Sequence, residues 1–372
     1  MFRHGVRIGR ILGIPIELDY SWFLIAVLTT WVLAVNYFPA EYKGGTSLEY
    51  WLMGAATAVL FFASIVLHEL AHSFVAIEFK VPVSKITLFI FGGVSQIAGE
   101  PPSARAEFLI AVVGPLTSLT LAAVFCGLEN LLANVAPVMA LAKYLALING
   151  MLGLFNLIPA FPLDGGRVFR AIVWGANKNF KRATLIAANT GRFFGFLFIV
   201  FGVGLALRGN LFNGLWIAFI GWFLENAAKS QVQQQAVQDV LAGHKVSELM
   251  SRDCTQVPSG LTLQELVEKF VLGGAHRCFV VTDGSKTTGL VTLEEIKKVP
   301  RTSWPTTTVE QAMIPAEKLI STPANAEAWT TVEKMGRNGV TQLPVVDGGK
   351  IVGMFSRDDL VHYLGVVHSL GT

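Results

Sequence analysis

The chain has 372 residues, of which 52% are hydrophobic and only 15% are charged. A soluble globular protein carries roughly 25% charged residues, so this composition is typical of a protein that lies largely within a bilayer. The net charge of +3 gives no support for nucleic-acid binding. Three widely spaced cysteines, Cys126, Cys254 and Cys278, are too few for a disulfide framework, and we interpret them as small buried apolar residues.

Long apolar runs occupy residues 1–228. A run of about 20 apolar residues is long enough to cross a bilayer as a helix, so these runs predict an α-helical membrane domain with about six transmembrane helices. No cleavage pattern precedes the first run, which we therefore expect to be retained. The predicted spans are 20–38, 51–79, 108–132, 137–161, 184–207 and 211–226.

Lysines and arginines between the spans predict the orientation of the chain in the membrane. The N-terminal arm and the second and fourth connections hold eleven of them: Arg3, Arg7, Arg10, Lys80, Lys85, Arg105, Arg167, Arg170, Lys178, Lys181 and Arg182. The alternating connections hold three: Lys43, Lys143 and Arg208. This asymmetry predicts an integral membrane protein with both termini, and therefore the C-terminal domain, in the cytosol.

Two segments of the membrane half, residues 5–19 and 81–98, do not have a helical pattern. They contain β-branched residues with glycine or proline and alternate in part, which is typical of strands. Simple interfacial loops are the alternative interpretation.

The strongest chemical signal is His68-Glu69-Leu70-Ala71-His72, inside the second predicted span. Histidines four residues apart lie on one face of a helix, about 6 Å from each other. That spacing suits two neutral imidazoles on one zinc ion, with Glu69 free to act as a base on water. Ionisable groups within a span are costly and usually functional. The alternative is a histidine pair that is hydrogen-bonded within a helix bundle, with Glu69 paired to an arginine or a lysine.

A catalytic zinc site uses three protein ligands, and Asp164 is the best candidate for the third. It is the only carboxylate near the end of the fourth span, where Pro159 and Pro162 end or distort the helix. The lengths of the two spans place Asp164 and the histidines between the bilayer midplane and the cytosolic face. An ordinary helix cap is the alternative role for Asp164.

Hydrolysis of a peptide bond requires a base and a group that stabilises the oxyanion. Glu69 can take a proton from water and later return it to the leaving amine. Asn156 lies about two helical turns before Asp164 and is a candidate for the oxyanion, although it could instead bridge two membrane helices. A helical substrate must first unwind, and a strand edge within residues 81–98 could hold it extended by β-augmentation.

These motifs resemble those of the site-2 protease family of intramembrane zinc metalloproteases, in the branch that carries cystathionine-β-synthase-type (CBS) domains. The family's HExxH matches residues 68–72, and its NxxPxxPxDG matches residues 156–165 in full. Phe91-Gly92-Gly93-Val94 and Gly114-Pro115 resemble further family features. The resemblance covers about residues 1–225. It implies His68, His72 and Asp164 as ligands of one zinc ion, Glu69 as the catalytic base, and single-span membrane proteins as substrates.

An internal repeat follows a predicted helical linker over residues 229–244. Three residues of the first copy, Gly289, Thr292 and Glu295, recur 64 positions later in the second copy as Gly353, Ser356 and Asp359. Each copy has the pattern of a β-α-β-β-α unit, and two such units need each other to bury their apolar faces. We place the copies at residues 245–300 and 306–366.

The repeat resembles a pair of CBS domains, which often bind adenine nucleotides between the copies. The resemblance implies a ribose and phosphate site at Gly353, Ser356 and Asp359, with Thr292 as the matching residue of the first copy. Glu295 replaces the aspartate in that copy, which is a departure from the family pattern. A ligand-free dimerisation scaffold is the alternative.

We therefore predict an integral membrane zinc endopeptidase that is a homodimer through its CBS domains and is modulated by ATP, ADP or AMP. A CBS-regulated transporter, in which the intramembrane histidines and glutamate relay ions, is one alternative. The HExxH spacing with its matching third ligand opposes it, as does the lack of a visible repeat within the membrane half. A non-catalytic scaffold that binds membrane proteins is the other alternative.

Overall fold

A computed structural model describes residues 5–90, 92–97, 99–252, 254–273, 278–284 and 286–370. Arg3 and Phe91, which entered the sequence analysis, lie outside the described residues. The chain divides into two compact units, Met1–Gln235 and Ala236–Thr372.

The first unit combines a small sheet with long helices. Its elements, in chain order, are β1 (Gly5–Ile11), β2 (Ile14–Asp19), α1 (Tyr20–Val32), α2 (Phe38–Glu41), α3 (Ser47–Glu78), β3 (Val83–Phe89), β4 (Gly92–Ile97), α4 (Ala104–Leu131), α5 (Ala136–Asn156), α6 (Asp164–Asn177), α7 (Phe180–Leu207) and α8 (Leu211–Leu241). One π-helical turn, Leu33–Tyr37, joins α1 to α2. The end of α8 continues into the second unit, so residues of the predicted linker are helical.

Among the described residues, five helices are long and apolar enough to cross a membrane: Tyr20–Glu41, Ser47–Glu78, Ala104–Leu131, Ala136–Asn156 and Phe180–Leu207. They correspond to the first five predicted spans. The sixth predicted span, 211–226, is the first half of α8 and does not reach the same apolarity, because Asn213, Glu225 and Asn226 fall within it. Five of the six predicted spans are therefore helices with the length and apolarity to cross a membrane. The sixth is a helix of lower apolarity.

The first half of α8 nevertheless packs closely on α7. A Cβ atom added to Gly202 of α7 would lie 2.6 Å from the carbonyl oxygen of Gly214 of α8, and one added to Gly195 would lie 2.8 Å from the carbonyl oxygen of Gly221. Glycines at such crossings let two helix backbones approach, which is the usual way in which membrane helices associate. This part of α8 therefore belongs to the helix bundle of the first unit.

The strands of the first unit form one sheet in the order β1-β2-β3-β4. The strands β2 and β3 are parallel, with Ile16 opposite Ile86, and the other two pairs are antiparallel. Leu18 of β2 and Leu88 of β3 pack against Phe62 and Ile65 of α3. The strand prediction for residues 5–19 and 81–98 is confirmed, and the interfacial-loop alternative is wrong.

The second unit is an α/β structure built from the two repeats. After α8 come α9 (Val246–Leu249), β5 (Cys254–Pro258), α10 (Leu263–Leu266), β6 (Cys278–Asp283), β7 (Lys286–Thr292), α11 (Leu293–Lys298), α12 (Val309–Ala312), β8 (Ile314–Pro315), β9 (Thr322–Pro323), α13 (Ala328–Asn338), β10 (Gln342–Asp347), β11 (Lys350–Ser356) and α14 (Arg357–Leu370). The strands form two sheets, β5-β6-β7-β8 and β11-β10-β9.

Each copy contributes its first short helix to the apolar core of the other copy. Val246 of α9, which precedes the first copy's sheet, packs with Val345 and Phe355 of the second copy. Val309 of α12, which precedes the second copy's sheet, packs with Phe279 of the first copy. Each apolar core is thus completed by residues from both copies, which explains physically why the copies occur in tandem.

The cysteines require a correction. Cys254 and Cys278 form a disulfide, and Cys126 is exposed rather than buried. The first two lie directly opposite each other on the parallel strands β5 and β6, with Cα atoms 4.8 Å apart, inside the range that a disulfide spans. A separation of 24 residues in sequence does not reveal strand register, so spacing alone could not predict the pairing.

Candidate metal centre

His68, His72 and Asp164 converge at one point in the first unit. The Nε2 atoms of the two histidines lie 3.1 Å apart, and Asp164 Oδ2 lies 3.1 Å from one and 3.2 Å from the other. Both histidines are buried on α3, with exposed fractions of 4% and 3%. This is the group of potential metal ligands that the described part of the chain brings together, and it joins the two motifs that are separated by about 90 residues in sequence.

The helix α4 orients both imidazole rings. The carbonyl oxygen of Ile110 lies 2.5 Å from His72 Nδ1 and can only accept, so Nδ1 donates and Nε2 keeps its lone pair towards Asp164. The Ser118 hydroxyl lies 2.9 Å from His68 Nδ1 and holds the second ring with its Nε2 towards the same point. Hydrogen bonds of this kind to the outer nitrogen are typical of metal-binding histidines.

Gly114 of α4 lies directly against the two rings. A Cβ atom at this position would be 2.1 Å from His72 Nε2 and 2.7 Å from His68 Nε2. A side chain here would therefore occupy the space at which the ligand atoms meet. The helix comes this close only because residue 114 is a glycine.

The residues fit a zinc ion. Two imidazoles and a carboxylate are a donor set found in catalytic zinc sites, and a tetrahedral ion with bonds of about 2.0–2.1 Å separates its ligand atoms by roughly 3.3 Å. The three separations of 3.1–3.2 Å are close to that value. His68, His72 and Asp164 would hold the ion, and the space that Gly114 leaves open faces them.

Asp164 reaches the histidines because the chain turns sharply after α5. That helix ends at Asn156, and α6 begins at Asp164 after a loop that contains the cis bond between Phe161 and Pro162. A Cβ atom at Gly165 would lie 2.3 Å from the carbonyl oxygens of Leu157 and Ile158, so glycine allows α6 to start against this loop. The N-cap residue of α6 is Leu163, and the Asp164 carboxylate bonds to the histidines.

Glu69 lies between the two histidines in sequence and contacts β4. A Cβ atom at Gly93 would be 2.7 Å from Glu69 Cγ and 3.2 Å from Glu69 Oε1. Ser95 Oγ also lies 2.7 Å from Ser73 Oγ on the next turn of α3. The strand β4 thus packs against the HExxH turn, next to Glu69.

Asn156 is not part of this cluster. It is the last residue of α5 and is half-buried, and its amide makes no hydrogen bond to the ligands among the described residues. A role in stabilising the oxyanion therefore stays a prediction. Ser118 and the Ile110 carbonyl, which contact the histidines, were not predicted from the sequence. A serine four residues after Gly114 in an apolar span was the available signal.

In the second unit, the Ser356 and Asp359 side chains lie together at the start of α14. Asp359 Oδ2 accepts hydrogen bonds from the Ser356 N–H (2.9 Å) and hydroxyl (2.6 Å), and the Asp359 N–H donates to Ser356 Oγ (3.2 Å). The two bonds that involve backbone N–H groups form a capping box. Gly353 packs on the carbonyl of Ser251. In the first copy, Thr292 is buried and Glu295 binds Lys298 Nζ at 2.7 Å.

Comparisons with known proteins agree with this division of the chain. The model of "Peptidase family M50" matches residues 56–136 and 128–200, and that of the "CBS domain" matches residues 246–302 and 304–366. The solved structure of a site-2 protease from Methanocaldococcus jannaschii is 32% identical over 62% of this chain and 95% of that chain, with a TM-score of 0.44.

Relatives of similar length are named as zinc metalloproteases. Rip3 of Mycobacterium tuberculosis is 35% identical over 98% of this chain and 94% of the relative. A Synechocystis protein, sll0528, is 33% identical over 97% of this chain and 96% of the relative. These matches favour the peptidase over the transporter and scaffold alternatives. The chain belongs to peptidase family M50, the site-2 protease family of membrane zinc metalloproteases, and carries a C-terminal pair of CBS domains.

Proposed function

We propose that this protein hydrolyses peptide bonds within the transmembrane segments of single-span membrane proteins. The observation that carries the proposal is the convergence of Asp164, the first residue of α6, on His68 and His72 inside α3, a helix that is long and apolar enough to span a bilayer. His68 lies about 32 Å from the start of α3 and about 15 Å from its end, at a rise of 1.5 Å per residue. A peptide that reaches these ligands must therefore enter the membrane layer.

The chain's own residues divide the chemistry between them. When bound, zinc supplies a Lewis acid that polarises the scissile carbonyl and makes water more acidic. Glu69 accepts a proton from the attacking water and returns it to the amine that leaves. Gly93 of β4 packs against the Glu69 side chain, and Ser118 and the Ile110 carbonyl keep the histidines oriented.

The strand β4 is proposed to bind the substrate in an extended form. It is the last strand of its sheet among the described residues: one edge pairs with β3, and the other edge would take a further strand by β-augmentation. Gly93 and Ser95 of β4 contact Glu69 and Ser73. An unwound peptide paired to this edge would pass beside the catalytic base.

The position of the cut follows from the depth of the ligands. In the proposed orientation, with both termini and the CBS pair in the cytosol, the end of α3 is cytosolic. We expect the scissile bond to lie in the cytosol-proximal half of the substrate's span, and a proline or glycine placed there to speed cleavage because it lowers the cost of unwinding. Mass spectrometry of the products from a single-span substrate locates the bond.

A proline or glycine placed in the outer half of the same substrate is the matched control and should leave the rate unchanged. Cleavage in the outer half, or outside the membrane, would contradict both the orientation and the proposed choice of Asp164 as third ligand.

We further propose that the CBS pair binds an adenine nucleotide and forms a homodimer. Asp359 Oδ2 is engaged in the capping box, whereas Oδ1 makes no hydrogen bond among the described residues and is free to accept from a ribose hydroxyl. The first copy is the weaker candidate, because Glu295 replaces the aspartate and both of its oxygens already accept from Lys298 Nζ. One site per chain, in the second copy, is therefore expected.

Binding of ATP, ADP or AMP to the full-length protein in detergent tests this site by equilibrium dialysis. Asp359→Asn keeps the size of the side chain but removes the charge, so we expect affinity to fall about tenfold, the loss of one charge-assisted hydrogen bond. Glu295→Gln, the corresponding change in the first copy, should have no effect. The absence of saturable binding by any of the three at millimolar concentration would favour the ligand-free scaffold.

A further inference from the structure

A buried ion pair lies outside the zinc site and is not used by the mechanism above. Glu107 of α4 is fully buried (0% exposed), and Arg170 of α6 is 7% exposed. Arg170 Nε donates to Glu107 Oε1 at 2.7 Å, Nη2 donates to the same oxygen, and Nη1 lies 3.4 Å from Thr184 Oγ1 on α7. Arg170 is one of the eleven basic residues in the connections that are predicted to be cytosolic, but its side chain is buried rather than exposed in a loop.

Stability alone is a poor explanation for this pair. Burying two charges costs more than a single ion pair usually returns, and apolar residues of similar volume are often at least as stabilising. The other carboxylate oxygen of Glu107 is buried without a hydrogen-bond partner among the described residues, which adds to the cost. What the pair does provide is a directional connection between two helices.

The pair connects α4, which orients the two histidine rings, to α6, which begins at Asp164. Glu107 lies one helical turn before Ile110, whose carbonyl holds His72. Arg170 lies six residues after Asp164 on α6, and its guanidinium stacks over the ring of Phe161 at 5.1 Å, three residues before Asp164. Arg170, which follows Asp164 in the chain, therefore contacts the segment that precedes Asp164.

We propose that Glu107 and Arg170 are positioning residues that fix Asp164 relative to His72, and that they thereby set the affinity and geometry of the zinc site. The guanidinium stacks over Phe161 and also over Phe180, at 4.7 Å. These two contacts hold it with its Nε–H and Nη2–H groups towards Glu107 Oε1. The proposal rests on the proposed zinc site, and its test separates the two.

The test measures metal retention in the full-length protein, with Arg170→Lys, Glu107→Gln and the apolar double variant Glu107→Met/Arg170→Met. Two readouts are used: the rate of zinc release to a chelator, and the visible absorption spectrum of the cobalt-loaded protein, which reports ligand geometry. We expect release about 10- to 100-fold faster than in the wild type, the usual effect of losing a residue that orients a ligand, together with a shifted cobalt spectrum. Lys143→Met, which breaks the Lys143–Glu41 ion pair elsewhere in the unit, should change neither.

The double variant keeps the proposal falsifiable if a single variant fails to fold. It removes both charges, so no unpaired charge is left buried. It also removes the hydrogen bonds from the guanidinium to Glu107 that join α4 to α6. Wild-type zinc retention and an unchanged cobalt spectrum in a folded Arg170→Lys or double variant would overturn the proposal. A wild-type protein that bound neither metal would overturn the zinc site itself.

Discussion

Replacing Glu69 by glutamine should leave about one zinc ion bound per chain and lower the rate of peptide hydrolysis about 100- to 10,000-fold. Glutamine keeps the size of the side chain, and therefore its packing against Gly93 of β4, but it cannot take up the proton of the attacking water. Metal analysis and turnover of a single-span substrate, measured on the same preparation, check both halves of this expectation.

Two further variants serve as controls for Glu69→Gln. Glu78→Gln changes an exposed glutamate at the end of the same helix and should keep full activity. His72→Ala should lose both zinc and activity, because it removes a ligand rather than the base. If the Glu69→Gln protein cut its substrate at nearly the wild-type rate, Glu69 would have to be a structural residue.

The convergence of His68, His72 and Asp164 could be predicted from sequence because each of its parts is local. The spacing of His68 and His72 places them on one face of any helix, and the prolines before Asp164 indicate where the helix that precedes it must end. The meeting of the two segments followed from the lengths and directions of their spans. These inferences need helix geometry and no knowledge of how the helices pack.

Contacts that depend on packing could not be predicted. The register of α4 against α3 decides that Ile110 and Ser118 face the histidines, and no local pattern specifies it. The same holds for Arg170, which has the sequence context of a loop charge but is buried against Glu107. The disulfide between Cys254 and Cys278 depends on strand register, which their spacing does not reveal.

Substituting alanine for Gly114 is expected to abolish zinc binding without unfolding the protein. The added methyl group would lie 2.1 Å from His72 Nε2 and 2.7 Å from His68 Nε2, far inside van der Waals contact. Either the rings turn away from Asp164 or α4 moves off α3 and takes the Ile110 and Ser118 contacts with it. In both cases the three ligand atoms no longer meet. Zinc content of the purified variant, with thermal unfolding as a check of the fold, measures the effect.

Gly127→Ala is the matched control, because Gly127 is on the same helix and has no atom within 4 Å of an added Cβ. Alanine is intrinsically more favourable than glycine within a helix by about 1 kcal/mol, so neither substitution weakens α4 through its propensity. A loss of zinc confined to Gly114→Ala would therefore report the contact with the histidines. Full zinc and full activity in that variant would show that α4 does not approach the ligands as described, and the orienting roles of Ile110 and Ser118 would be lost with it.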